Sequence, residues 1–385
     1  MPRRTPRLDG GYLGRERDWF RDPGGWGLEP SRDNRLQLDF SSREVMTMCR
    51  ITTILRFGLL AAASALLASC GGSDGDEKEV VVYSSVDRVF AEPVLRQFEK
   101  NARIRVRAVF DTEETKSTGV LNRIIAEGKQ PQADVFWSGD PMRPYQLIRR
   151  GLVEPYTARS AAALPSYAKG REWTGVAARA RVLLVNTEQV LSNPPTSISD
   201  LASPRWKNRV AMANPLFGTT TMHVAALFSI WGDAEAQHFL DSVKANGVRI
   251  AASNGEVKRL VSGGEVAWGV TDTDDANEAL ASGAPVRIVF PDQEAFGTLV
   301  MPTSVVVIRG ARHKQAAQAL VEYLASAETE KYLAEHGAHL PLQPDVAPPQ
   351  GLPSAGKLRA MEVDYGQLAV TIERIQPWLR EWAGL

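Results

Sequence analysis

The feature that most constrains this fold is a regular alternation of short β-branched runs with amphipathic segments of helical period. Residues Glu79–Ser84 read EVVVYS, an apolar run ending in a small polar residue, which predicts a buried strand. In Pro93–Glu99 the side chains of Val94, Leu95 and Phe98 fall on one face, which predicts a helix. Because strand–helix–strand units align their strands in parallel and cover the sheet with helices, the pattern predicts an α/β fold with mostly parallel sheets and helices on both faces.

The same alternation continues towards the C-terminus. Further strands are predicted at 104–110, 133–137, 181–185, 209–213, 265–270, 286–290 and 304–308. Further helices are predicted at 115–127, 219–231, 233–245, 276–281, 313–325 and 328–336, with a last one at 358–382 interrupted by Pro377. The sequence has no repeat of solenoid or propeller period, and its 385 residues are enough for two domains.

Charge and cysteine content exclude several classes of protein. Lys+Arg and Asp+Glu are balanced at 45 each, so no basic excess points to nucleic acid as a partner. The two cysteines, Cys49 and Cys70, both lie in or beside the first apolar segment. The body that follows therefore contains no disulfide, no thiolate metal site and no cysteine nucleophile.

Residues 46–70 have the organisation of a lipoprotein signal peptide. A basic region precedes an apolar stretch at 57–68, which is too short to span a bilayer core of about 30 Å as a helix. The stretch ends in Leu67–Cys70, read LASC, which resembles a bacterial lipobox. This predicts cleavage before Cys70 and a membrane anchor of acyl chains on its thiol. A core helix that ends in cysteine is the alternative interpretation.

The segments on either side of the signal peptide are not expected to belong to the folded body. Residues 71–78 are polar and glycine-rich, which is typical of a flexible tether. Residues 1–45 have no sustained period, and the basic region of the signal peptide begins near Met46 and Met48. We interpret 1–45 as a mis-assigned gene start, with a disordered leader as the alternative.

Polar residues follow four of the predicted strands. Ligands of open α/β sheets bind beyond the carboxyl ends of the strands, so we expect these residues to share one crevice. The candidate ligand-binding residues are Ser84, Ser85, Asp87, Ser138, Gly139, Asp140, Phe217, Gly218, Thr219, Thr220, Asp272, Thr273 and Asp274.

The segment Gly218–Thr221 opens a predicted helix and is suited to an anion. Backbone N–H groups of a first helical turn lack partners and carry partial positive charge, and threonine hydroxyls add donors. Simple N-capping by Thr219 or Thr220 is an equally good interpretation of these residues alone.

The acidic residues at the strand ends favour a different ligand. Asp87, Asp140, Asp272, Asp274 and Asp275 offer hard oxygen ligands, which suit hard cations. Aspartate before a helix is also an ordinary cap that interacts favourably with the helix dipole. For Asp274 and Asp275, capping is the favoured interpretation.

Six segments together carry a resemblance to a known family. They are Val80–Asp87, Pro131–Ser138, Ala178–Asn186, Pro204–Arg209, Asn214–Thr220 and Gly269–Ala276. In this order the chain, over 79–345, resembles the extracellular solute-binding proteins of bacterial ABC importers, in the ferric-ion-binding class with the type II periplasmic-binding fold.

The resemblance implies two α/β lobes joined by a hinge, with the ligand in the cleft between them. The expected lobes are 79–175 with 296–345, and 176–295 with 346–385. The resemblance further implies a monomeric receptor in the periplasm or on the outer face of the cell membrane, which docks on a membrane permease. Such a receptor is not an enzyme and needs no cofactor other than the metal it transports.

The chain departs from the family pattern at the residues that bind iron. The adjacent tyrosines of typical ferric-ion binders fall at Asp272–Thr273, their histidine at Asp87, and their glutamate near Gly139 or Asp140. Asp87 and Asp272 are therefore the candidate metal ligands. Ferric iron or another metal or oxyanion complex is the favoured ligand, and a phosphorylated or carboxylated organic solute is the alternative.

Motifs of other functional classes are absent from the sequence. A secreted hydrolase would need a nucleophile and a base, yet the chain has no G-x-S-x-G elbow and no H-E-x-x-H zinc motif. An adhesion protein would be expected to show repeats. His336 and His339 are interpreted as a helix stop at Gly337 rather than a metal pair, and His223 as a helix-surface residue.

Overall fold

The computed structural model describes residues 78–111 and 119–384. The predicted signal peptide at 46–70, the segment 1–45 and the tether up to 77 lie outside the described residues, as does the predicted start of the helix at 115–127. In the two described ranges, no helix is both long enough and apolar enough to cross a membrane. Because Cys70 lies outside the described residues, its lipidation stays a prediction.

Ten strands form one continuous sheet in the described residues. They are β1 Glu79–Ser84, β2 Arg105–Phe110, β3 Val135–Ser138, β4 Val153–Glu154, β5 Thr174–Asn186, β6 Val210–Ala213, β7 Arg249–Ala251, β8 Trp268–Asp272, β9 Val286–Val289 and β10 Val300–Ile308. Their order is β2-β1-β3-β10-β5-β8-β6-β7, with β4 beside β10 and β9 beside β5.

The described α-helices cover both faces of this sheet. They are α1 Arg88–Ala102, α2 Gly119–Glu127, α3 Met142–Arg149, α4 Gly218–Trp231, α5 Asp233–Ala245, α6 Asn254–Ser262, α7 Thr273–Ala281, α8 Lys314–Leu324, α9 Ala327–Gly337 and α10 Tyr365–Ala383.

The sheet consists of two halves, each with a parallel centre. In the first half, defined as β1–β4 and β10, β1 pairs in parallel with β2 and β3. In the second half, defined as β6–β9, β6 pairs in parallel with β7 and β8. These are the strands linked by helices, as the alternation predicts. The pairs made by β5 and β10 with their neighbours are antiparallel, because these long strands run back between the halves.

Strand β5 runs through both halves. Its residues 174–180 pair with β10, whereas 181–186 pair with β8 and β9. Twelve of its thirteen residues are buried, in keeping with helices over both faces. The strand changes partners between Ala180 and Arg181, so those two residues lie where the two halves meet.

Alternating side chains of the strands supply separate cores on the two faces. In β1, Val80 and Val82 pack with Leu95 and Phe98 of α1, whereas Tyr83 packs in the cluster that contains Ile124 of α2. The C-terminal helix α10 packs against α3 of the first half and α4 of the second. The burial of apolar side chains thus continues from one half to the other.

Most predicted elements are present, and the differences have physical causes. Helix α10 continues through Pro377 instead of being interrupted, since Ile375, Leu379 and Trp382 are buried on both sides of it and tertiary packing offsets the lost hydrogen bond. Helix α1 begins at Arg88 rather than Pro93. The lobe boundaries given above stay predictions.

Candidate functional site

The carboxyl ends of β1 and β3 are joined by hydrogen bonds between their polar residues. Ser84 Oγ and Ser85 N both donate to the carbonyl oxygen of Trp137, each over 3.1 Å. The N–H of Gly139 donates to Ser85 Oγ over 3.0 Å. A Cβ at Gly139 would lie 3.1 Å from the carbonyl oxygen of Ser85, so the close approach of the two loops favours glycine.

Ser138 and Asp140 serve the turn that opens α3. Ser138 Oγ accepts the N–H of Asp140 over 3.3 Å. Asp140 Oδ1 accepts the N–H groups of Met142 and Arg143 over 2.8 and 3.0 Å, which is N-capping. Asp140 is 8% exposed. The hydrogen bonds by which it caps α3 explain why an aspartate occupies this position.

In the second half, a buried ion pair gathers the predicted residues of α4 and β8. Arg181 Nη1 lies 2.6 Å from Asp272 Oδ1, and the two side chains are 0% and 3% exposed. Thr219 Oγ1 donates to Asp272 Oδ2 over 2.8 Å, and Asn254 Nδ2 donates to the same oxygen over 3.1 Å. Thr220 Oγ1 accepts from Arg181 Nη2 over 3.3 Å. Both oxygens of Asp272 therefore have partners within the protein.

Arg179 connects this cluster to the first half of the sheet. Its Nη2 donates to the carbonyl oxygen of Gly139 over 3.2 Å, and its Nη1 lies 3.4 Å from Asp274 Oδ2 and 3.8 Å from Asp272 Oδ2. Burial opposes the charge of Arg179, but the carboxylates of Asp274, Asp272 and Asp87 outweigh it and raise its pKa. The guanidinium is thus surrounded by acidic groups from both halves.

The remaining predicted residues lie around this cluster in different ways. Gly218 opens α4 with φ +60°, a conformation that suits glycine, and the preceding Phe217 is 64% exposed. The hydroxyl of Thr273 is turned inwards and accepts the N–H of Ala180 over 3.2 Å. The hydroxyls of Thr219 and Thr220 bind Arg181 and Asp272 rather than capping α4.

A cavity of about 1440 Å³ opens beside Asp87 and Asp274, two of the carboxylates around Arg179. Asp87, at the end of β1, lines it from the first half, and Asp274 and Asp275 line it from α7. One face of α9 contributes Lys331 and Glu335. The cavity is far larger than a bare metal ion and can take an ion together with an organic or inorganic anion.

Three carboxylates at the start of α7 are close enough to share a cation. One oxygen from each of Asp272, Asp274 and Asp275 lies within 4.8 Å of the others. Burial, together with the neighbouring carboxylates of Asp274 and Asp272, raises the pKa of Asp275 to about 6. In the part of the chain that the structure describes, Asp274 Oδ1 is buried and has no hydrogen-bond partner.

The predicted site residues are brought together, but through partners that sequence reasoning did not identify. Ser84, Ser85, Ser138 and Gly139 form one end of the network, and Thr219, Thr220, Asp272 and Asp274 the other. The joining residues are Arg179, Arg181 and Asn254. The available signal was a pair of arginines at alternate positions of an otherwise apolar strand, since a buried arginine requires partners.

The predictions for the histidines have different outcomes. His223 was expected on a helix surface, and this is wrong: it is 3% exposed, next to Arg181, and burial lowers its pKa to about 3. The reason is that the ten residues 219–228 of α4 are all buried, so this part of the helix has no surface face. Helix α9 ends at Gly337, as expected for the helix stop, and His339 packs edge-on against Phe90.

Comparison with known proteins agrees with this architecture. A family model described as bacterial extracellular solute-binding protein matches residues 130–365, more than half of the chain. Iron uptake protein A1 of Synechocystis sp. is 26% identical over 323 residues, which cover 78% of this chain and 88% of that protein. The major ferric iron-binding protein of Neisseria meningitidis serogroup B is 27% identical over 321 residues, covering 81% and 93%.

Solved structures share the fold. The apo ferric ion-binding protein A of Pasteurella haemolytica superposes with a TM-score of 0.70 at 22% identity, over 80% of this chain and 98% of that one. Such neighbours are periplasmic binding proteins of two-lobed fold. The two-lobed α/β fold predicted from the sequence is thereby confirmed.

Proposed function

Because this chain belongs to the family of bacterial extracellular solute-binding proteins, we propose that it is the ligand-capturing receptor of an ABC importer and that it carries iron(III) together with an anion. Its relatives are solute-binding transport proteins, and the chain is not an enzyme. Iron in such a receptor is cargo, so no resident cofactor is required. The proposed role is to close on the ligand and to present it to a membrane permease.

The observation that carries this proposal is the placement of carboxylates on both sides of one cavity. Asp87 approaches from the first half, and Asp274 and Asp275 approach from α7. Carboxylate oxygens are hard ligands, and carboxylate-rich sites hold iron in other proteins. The relatives named above as ferric iron-binding and iron uptake proteins support the same cargo.

We assign the metal to Asp87 and Asp274 rather than to Asp87 and Asp272. The oxygens of Asp272 already accept hydrogen bonds from Arg181, Thr219 and Asn254, and breaking a buried ion pair costs roughly 3–5 kcal/mol. Asp274 has an oxygen without a hydrogen-bond partner among the described residues. Lys331 of α9 is a basic residue that lines the cavity together with Asp87 and Asp274, so it is the group placed to meet the anion that accompanies the metal.

Calorimetric titration with ferric citrate tests this proposal. Asp87→Ala and Asp274→Ala are each expected to weaken binding at least tenfold, or about 1.4 kcal/mol, because each removes a charged oxygen ligand. Asp140→Ala is the matched control: it removes a helix cap, so it should lower thermal stability and leave the affinity unchanged. Unchanged affinity in both Asp87→Ala and Asp274→Ala would contradict the assignment.

A phosphorylated or carboxylated organic solute is the second candidate, and the two arginines of β5 favour it. Within residues 78–111 and 119–384, Arg179 and Arg181 each retain a buried Nε–H without a partner. Guanidinium groups bind phosphate and carboxylate in a bidentate manner. With glycerol phosphate as the probe, this candidate predicts binding that a chelator does not affect and that Arg179→Ala abolishes. Ferric citrate binding that is lost on chelation supports the first candidate instead.

The membrane anchor is a further part of the proposal and rests on the sequence at 46–70. An acylated Cys70 would hold the receptor at the outer face of the cell membrane or in the periplasm, with 71–78 as the tether. The two-lobed fold would act there as a monomer. Nothing in the charge balance of the chain calls for nucleic acid.

A further inference from the structure

Strand β5 contains a bulge shortly before its two arginines. Val176 pairs with Thr303 and Ala178 with Pro302, so Ala177 is left without a counterpart in β10. Ala177 has φ +52°, the left-handed conformation, although it is not glycine, and it is completely buried. A non-glycine residue in this conformation is strained and persists only where its surroundings hold it.

The group that holds the bulge is the carboxylate of Glu330 in α9. Its Oε1 accepts the N–H of Ala177 over 3.0 Å. Its Oε2 accepts the N–H groups of Leu342 and Gln343 over 2.8 and 2.7 Å. Glu330 is 0% exposed, and it makes no ion pair in the part of the chain that the structure describes, so the three amides are the groups that compensate its charge.

The segment around Leu342 follows α9 and runs beside β5. Ala178 and Leu340 exchange backbone hydrogen bonds of 2.8 and 2.7 Å. Beyond it the chain returns to the second half, where Leu352 packs in the same core as Val182 of β5. Two connections between the halves, β5 and the segment 340–343, therefore meet at one carboxylate.

We propose that Glu330 is a positioning residue that clamps these two connections, and that it thereby sets both the placement of Arg179 and Arg181 and the angle between the two halves. Arg179 and Arg181 follow Ala177 by two and four residues on β5, so the bend of the strand at Ala177 determines where their side chains are directed. The opposite face of α9 lines the ligand cavity through Lys331 and Glu335. The same helix thus touches the cavity and holds the bulge.

The distance between the halves in ligand-free protein tests this proposal, whatever the cargo is. Since the body has no cysteine, a full chain with Cys49 and Cys70 replaced by serine can be spin-labelled at Lys100→Cys of α1 and Asp241→Cys of α5, both exposed positions. Pulsed electron resonance then gives the distribution of distances between the labels. Glu330→Gln is expected to give a roughly twofold broader distribution, as the conformational ensemble widens.

Leu333→Ala is the matched control, because Leu333 is buried in the same helix and packs in the same core as Ala177 but its aliphatic side chain cannot accept the N–H of Ala177. It should lower thermal stability while the distance distribution keeps the parental width. If Glu330→Gln leaves the width unchanged, or if both variants broaden it equally, Glu330 is not a clamp but an ordinary core residue.

Two measurements keep the proposal testable if Glu330→Gln folds poorly. In the double variant Ala177→Gly/Glu330→Gln, the glycine relieves the backbone strain at position 177, so the thermal stability should recover. The distribution of distances between the labels should stay broad, and a narrow distribution overturns the proposal. In the unchanged protein, hydrogen exchange of the Ala177, Leu342 and Gln343 amides should be slow and equal. Fast exchange of Ala177 alone overturns it as well.

Discussion

Arg181 and Asp272 form an ion pair whose side chains are 0% and 3% exposed, and this pair determines how the site is built. Two charges removed from water are tolerated only when each is paired and hydrogen-bonded. Thr219, Thr220 and Asn254 add further hydrogen bonds to the pair. The result is a buried, hydrogen-bonded ion pair in the second half of the sheet.

Breaking this pair is expected to destabilise the protein severely. Asp272→Ala should lower the free energy of unfolding by about 3–5 kcal/mol, because it leaves the Arg181 guanidinium buried without its counter-ion. Urea unfolding measures the change. Glu265→Ala is the control: its partners Arg249 and Arg259 are 47% and 58% exposed, so the loss should stay within about 1 kcal/mol. Equal losses in the two variants would contradict the account of the buried pair.

The sequence indicates these site positions but not their partners. Asp272 and Thr219 were predicted as site residues because each follows a strand, a feature that local pattern reveals. The contact between Arg181 and Asp272 spans 91 residues, and no local pattern encodes it. For Asp140, both helix capping and cation binding were open interpretations of the sequence. The geometry of its hydrogen bonds favours capping.

At the scale of elements, helix α9 carries a titratable group inside the fold. Burial raises the pKa of Glu330 to about 7. The hydrogen bonds that its carboxylate accepts from three backbone amides act in the opposite direction and lower the pKa. A carboxyl group with a raised pKa binds its proton more tightly in the folded than in the unfolded state. Its contribution to stability is therefore present below the ordinary glutamate pKa and is lost as pH rises through about 7.

The free energy of unfolding should consequently fall by roughly 3 kcal/mol between pH 4.5 and pH 7 through Glu330 alone, at about 1.4 kcal/mol per unit of pKa. Urea unfolding of the unchanged protein and of Glu330→Gln over this range isolates the contribution, since glutamine does not titrate. The difference in stability between the two proteins should change with pH within this window. Parallel pH profiles would contradict the assignment of the titration to Glu330.

Elements were predicted well where hydrophobic periodicity is strong and poorly where packing overrides local preference. Helix α5, predicted at 233–245, occupies Asp233–Ala245. Helix α6 and strand β7 were not predicted, because they are short and partly polar. Pro377 was expected to interrupt α10, but the aromatic and aliphatic contacts around it hold the helix together.

At the scale of the whole molecule, the two halves contribute separate residues to one cavity. Asp87 and Asp274 line it from opposite halves of the sheet, and Arg179 contacts Gly139 on one side and Asp274 on the other. A ligand that binds both halves favours the closed arrangement by its extra contacts. The α/β class and the alternation of strands and helices along the chain could be predicted from the sequence. The order of the strands in the sheet and the antiparallel pairing of β5 and β10 depend on how the chain returns between the halves.

The membrane anchor is tested by changing its cysteine. With Cys70→Ser, the thiol that would receive the acyl chains is gone, so the protein should move from the membrane fraction to the soluble fraction of its host. Cys49→Ser, within the same signal segment, is the control and should leave the distribution unchanged. If Cys70→Ser stays with membranes as fully as the unchanged protein, the lipid anchor is disproved.

The most direct test of the account is the position of the cargo in the protein purified from its own host. Anomalous X-ray diffraction at the iron absorption edge locates iron without assumptions about its ligands. We expect one strong peak in the cavity between Asp87 and Asp274, with an anion beside Lys331. Electron density for an organic phosphate or carboxylate in that cavity, with no anomalous peak, would contradict it.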